Sequence, residues 1–119
     1  MARKRPVVTE LSGLSDASGD LTLKTKPGEP GQLLCVELVA VRNATTDTTP
    51  LAHIGIERAG LQLWLETLVL TTHARTYNYY HPIWIPSDYS VVVKFASAGS
   101  GILCSALVLG YLTDRPDAE

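Results

Sequence analysis

Apolar and polar positions alternate along most of this chain with a period of two, and several runs are apolar on both faces. The last third is the strongest case. Tyr89 to Ser97 and Ile102 to Leu112 are β-rich runs separated by Ala98-Gly99-Ser100-Gly101, which predicts a long hairpin with a Gly-Ser-Gly tip. In the second run Ile102, Cys104, Ala106, Val108 and Leu112 line one face, and Leu103, Leu107, Leu109 and Tyr111 line the other. A strand of this kind requires cover on both sides, from a second sheet, a partner subunit or a target surface.

Similar runs precede it. Leu21 to Thr25 alternates as a short strand, and Lys26-Pro27-Gly28-Glu29-Pro30-Gly31 is a dense turn signal. Strict alternation over Gln32 to Val41 puts Leu34, Val36, Leu38 and Ala40 on one face. Leu33, Cys35, Val39 and Val41 then share the other with Glu37. After a polar loop, Leu51 to Arg58 turns Ala52, Ile54 and Ile56 inward and His53 and Glu57 outward. Ala59-Gly60 leads into Leu61 to Thr72, where Leu61, Trp64, Leu65 and Leu68 also match helical spacing. The neighbouring strands and the Thr-rich exit favour strand. Pro82 and Pro86 exclude a helix interior and leave two edge pieces, Tyr77 to Tyr80 and Ile83 to Ile85.

The expected fold is therefore all-β: a single-domain β-sandwich or jelly roll of seven to eight short antiparallel strands over residues 20–113. Residues 1–19, rich in small turn formers, are expected to be a flexible or partner-ordered arm, and residues 114–119 a short acidic tail.

Composition narrows the function classes. At 119 residues the chain fits one domain, and 45% apolar residues exclude a disordered one. A net charge of −2 counts against general nucleic-acid binding, which needs a basic surplus. No run approaches the ~20 apolar residues of a membrane-spanning helix. No apolar signal region follows Arg5, so synthesis in a reducing cytoplasm is expected. The sequon Asn43-Ala44-Thr45 is then a chance match. Cys35 and Cys104 lie among aliphatic residues and read as core thiols, with a disulfide between facing strands as the alternative. Arg3, Lys4 and Arg5 make a basic start, read either as a solvated tail or as an arm that docks on an acidic neighbour.

Candidate chemistry is sparse. His53, His73 and His81 fall in no metal-ligand motif, no nucleophile elbow is present, and no Walker lysine follows the glycine-rich turn. The expectation is a protein without catalytic activity, cofactor or metal. The best binding candidate is the aromatic run Tyr77, Tyr79, Tyr80 and Trp84, flanked by Arg75, His73 and His81. Its rings either plug an open end of the sandwich, form a protein interface, or stack on sugars or bases. Candidate interface residues are Arg3, Lys4, Arg5, Arg75, Tyr77, Tyr79, Tyr80, His81 and Trp84.

The irregular basic arm, all-β body, Pro-bounded aromatic segment Tyr79-Tyr80-His81-Pro82-Ile83-Trp84-Ile85-Pro86 and closing Ala-Gly-Ser-Gly hairpin together resemble the small jelly-roll decoration, or cement, proteins of tailed-bacteriophage heads. The likeness covers residues 20–113 and is architectural, so no residue is carried over as a contact. It implies a homotrimer on the outside of an assembled capsid, with the major capsid protein or another virion component as partner, bracing the shell. Three weak footprints on a lattice would bind through avidity. The alternative is a carbohydrate- or receptor-binding module of a phage tail or other surface assembly, taking a glycan on the Tyr77–Trp84 segment.

Overall fold

The computed structural model describes residues 5–43, 50–70 and 76–114, which form nine β-strands and no helix. They are β1 (Arg5–Leu14), β2 (Leu21–Lys24), β3 (Gln32–Asn43), β4 (Leu51–Arg58), β5 (Leu61–Val69), β6 (Tyr77–Tyr79), β7 (Ile83–Ile85), β8 (Ser90–Ala96) and β9 (Leu103–Asp114). All pairs are antiparallel. The front sheet runs β1-β9-β3-β6, with β7 also on β3, and the back sheet runs β2-β8-β4-β5. β6 and β7 lie end to end on the same edge of β3, Tyr79 opposite Val39 and Ile83 opposite Val36. Pro82, which has no amide to donate, sits in the break between them. Counted as one interrupted strand, they give the sheet orders 1-8-3-6 and 2-7-4-5, those of a jelly roll.

The core lies between the sheets. Val91, Val93 and Phe95 of β8 and Ala52 and Ile54 of β4 meet Val36, Val39 and Val41 of β3 and Cys104, Ala106 and Val108 of β9. Each fully buried Val, Ile or Phe contributes about 1.5–3 kcal/mol. Both cysteines are free and buried. Cys104 is in this core, and burial pushes its thiol up to about 11. Register places Cys35 on the opposite face of the front sheet, level with Tyr111 and Trp84.

Two expectations are corrected. Tyr89–Ser97 and Ile102–Leu112 do not form a hairpin: β8 pairs with β2 and β4, and β9 with β1 and β3. Each run is flanked on both sides within its own sheet, so neither has an edge left for the other. Residues 97–101 instead carry the chain between sheets, with positive φ at Ser97, Gly99 and Gly101. The second correction concerns the arm. Residues 5–14 are strand β1, paired with β9 along its whole length. The turn after it is anchored: the Ser15 hydroxyl accepts the Ile102 amide at 2.8 Å and donates to the Gly99 carbonyl. The Asp16 carboxylate accepts the amides of Ser18 and Asp20 at 2.9 and 3.0 Å.

Two bulges change which residues face the core. One in β3 between Val36 and Leu38 lets both Val36 and Val39 point inward, and Leu38 and Ala40 outward. The other inserts Leu65 into β5 opposite the Ile54–Gly55 step of β4.

Candidate functional site

Residues opposite one another in adjacent strands project from the same face, so the registers define the two outer surfaces. The outer surface of the front sheet is apolar. β1 contributes Pro6, Val8 and Leu14, and β9 contributes Leu103, Leu107, Leu109 and Tyr111. β3 adds Leu33, Cys35, Leu38 and Ala40, and β7 adds Trp84. Val8, Leu14, Trp84 and Leu103 are 66%, 63%, 59% and 49% exposed. Polar groups interrupt this surface at several points: Glu37 is exposed at the β3 bulge, Asn78 lies opposite Ala40, and a further set crosses β1, β9 and β3 on a diagonal. Glu10 lies opposite Leu107, and Arg42 lies opposite Ser105, which itself faces Ser12. Between the two charges is a shallow depression of about 330 Å³ floored by Ser12, Ala40 and Ser105. Further along the same face, Tyr111 is hydrogen-bonded to the Cys35 thiol, which holds the phenol above its ordinary value.

The outer surface of the back sheet is mainly polar, with Trp64 and Val69 exposed among its polar groups. Lys24 Nζ pairs with Glu57 at 2.8 Å, and Gln62 donates to the other Glu57 oxygen at 3.0 Å. The Lys24 bond and then the Gln62 bond lower the Glu57 pKa. His53 Nδ1 lies 2.8 Å from Thr67 Oγ1, and its ring is 5.8 Å from Trp64. Such a face is at ease in water. Its edge strand β5 is different: Leu61 and Leu63 are 80% and 60% exposed, and they wall an open groove with Ile56, Arg58 and Tyr89.

The aromatic run is divided by the alternation of its strands. Tyr77 and Tyr79 turn inward and pack against the core, as the plugging reading expects. Tyr80 and Trp84 are exposed, and Asn78 Nδ2 donates to the Tyr80 hydroxyl at 3.1 Å. His81 is exposed with its ring 5.1 Å from Tyr79. Arg5 begins β1 on the far edge of the front sheet, separated from β7 by β9 and β3. The proposed residues are therefore not one cluster. Arg3, Lys4, Arg75 and His73 lie outside the described residues. Among the described residues, no group of three or more His, Cys, Asp or Glu side chains is placed to hold a metal ion.

Val8, Leu14, Leu38 and Leu61 were not among the sequence candidates. The two-sided greasiness of β9 was the signal pointing to the outer face, but the β3 bulge and the misread arm hid its partners.

No family model matches this chain, and no curated protein matches it. Among solved structures, the Yersinia pseudotuberculosis-derived mitogen is 12% identical with a TM-score of 0.49, covering 89% of this chain and 86% of that one. A chain of infectious bursal disease virus, Gx strain, is 12% identical with a TM-score of 0.42; the match covers 97% of this chain and 36% of that one. A structure described as CBM4 is 15% identical with a TM-score of 0.31, covering 89% and 94%. Likenesses at this level carry no functional argument. The jelly-roll assignment rests on strand order alone.

Proposed function

We propose that this protein is a structural virion component, an oligomer that binds the outside of an assembled capsid and stabilises it. One observation carries the reading: the outer surface of the front sheet is mainly apolar, whereas that of the back sheet is mainly polar, with Trp64 and Val69 exposed among charged and polar groups. A sheet that presents Val8, Leu14, Leu103 and Trp84 on one surface is built to be covered. The described residues offer a rigid scaffold and two apolar contact zones, the front face and the β5 edge. This suits a protein whose work is contact. Many weak contacts on a repeating shell would give tight attachment through avidity.

The test is co-sedimentation of purified protein with assembled tailed-phage capsids, together with the temperature at which those capsids open. Saturable pelleting and a raised opening temperature are expected. Protein that stays in the supernatant at every ratio contradicts the reading.

A second reading has its own observation. Trp84 and Tyr80 present exposed rings, and Asn78 bonded to Tyr80 adds polar atoms at the same edge. Such rings can stack on sugars. Micromolar binding on a glycan array, lost in a Tyr80→Ala/Trp84→Ala variant, would favour a carbohydrate-binding module.

A further inference from the structure

Resting on the reading of the front face as an assembly surface, we infer that its occupant is a second copy of this chain, packed face to face around a two-fold axis over β9. Area is the first argument. Val8, Leu14, Leu103 and Trp84, with the half-buried leucines of β9 and β3 between them, spread exposed apolar surface across four strands, on the scale of the ~800 Å² per partner of a standard stable interface. On the back face the exposed apolar residues Trp64 and Val69 share the surface with the Lys24–Glu57–Gln62 network.

Charge is the second. Glu10 and Arg42 flank β9 on opposite sides, one level with Leu107 and the other with Ser105. Their midpoint therefore falls on β9 between those two residues. A two-fold axis in the interface, over that midpoint and perpendicular to the line joining the charges, sets Glu10 of each copy over Arg42 of the other. One operation therefore forms two ion pairs from these four charges, and Glu37, exposed at the β3 bulge, stands outside them. Small side chains at Ser12, Ala40 and Ser105 leave the depression in which those longer chains can meet. An isologous contact of this kind closes at two copies.

The β5 edge is less suited to self-pairing. Its bulge at Leu65 interrupts the flat ladder that a neighbouring strand needs.

Light scattering on the full chain tests the inference. The wild type is expected at twice 12.9 kDa. Val8→Asp, Glu10→Arg and Arg42→Glu, each at an exposed position, are expected to weaken pairing at least tenfold while keeping the wild-type β spectrum. The double reversal Glu10→Arg/Arg42→Glu is expected to restore the doubled mass, and Leu63→Asp on β5 to leave it unchanged. A single-copy or three-copy wild type, single reversals that stay paired, or a double reversal that does not recover would overturn it. The virion reading fails separately: a protein that pairs but ignores capsids sinks that reading alone, and one that pellets with capsids as single copies sinks the pair.

Discussion

Gly110 lies so close to the backbone of Cys35 that a Cβ on it would overlap the Cys35 carbonyl oxygen. Gly55 stands in the same relation to Leu63. Each glycine is beside a bulge: Gly110 faces Val36 at the irregularity in β3, and Gly55 faces Trp64 at the one in β5. An extra residue pushes the bulged strand toward its neighbour, and only a residue without a side chain keeps the ladder closed there. The β3 bulge also creates the outer face, because it turns Leu38 and Ala40 out beside Leu109 and Leu107.

Gly110→Ala should therefore be costly. The obstacle is backbone, which cannot swing aside, so a loss of about 3 kcal/mol is expected from urea denaturation. An unchanged midpoint would mean that the two strands are not in this register.

Ser15→Ala removes the acceptor of the half-buried Ile102 amide and the donor to the Gly99 carbonyl, 87 and 84 residues away in sequence. Alanine satisfies neither, and the expected cost is about 1–3 kcal/mol. The same denaturation experiment reads it. A neutral result would show that the corner joining β1 to the inter-sheet turn does not hold the fold.

Ala59 has φ 51° in the two-residue turn between β4 and β5, followed by Gly60 at 83°. That left-handed geometry suits Asn far better than Ala, and Asn-Gly is the preferred pair for such hairpins. Ala59→Asn should stabilise by about 0.5–1 kcal/mol, a thermal midpoint rise of a few degrees. A fall in the midpoint would contradict the turn geometry.

Most of the architecture was legible from the sequence, and the errors have identifiable causes. Leu51–Arg58 showed its inward set plainly because β4 itself carries no bulge. The prolines located the broken edge strand. A Gly-Ser-Gly turn between two greasy runs reads alike for a hairpin and for a crossing between sheets; what decides is that both strands are already flanked, which is a tertiary fact. β1 was missed because Thr9 and Gly13 share the inward side while Val8 and Leu14 point out, so its alternation is reversed in part. The outer face was half visible, in β9, but a one-residue shift in β3 exchanged Leu38 and Ala40 for Val39 and Val41.

Stability should fall at both ends of the pH range. Cys104 has a raised folded pKa, about 11, so its neutral thiol favours the folded state fully below about pH 9, and that contribution is lost as pH rises toward 11. Asp16 is lowered first by the Ser18 hydroxyl and then by the Asp20 amide, and Glu57 first by Lys24 and then by Gln62. Their contributions hold above the ordinary carboxylate range near 4 and are lost as pH falls through the depressed folded values. Denaturation midpoints measured across pH should form a plateau with two falling limbs. Cys104→Ala should flatten the alkaline limb; an unaltered limb would count against a buried thiol.

The two tryptophans report on the two outer faces, Trp84 on the front sheet and Trp64 on the back. Their oxidation by hydroxyl radicals, followed residue by residue in dilute protein and in the assembled or capsid-bound state, tests most directly whether the front face is covered in use. Trp84 should become protected while Trp64 keeps its dilute rate. Equal oxidation of Trp84 in both states would contradict the account.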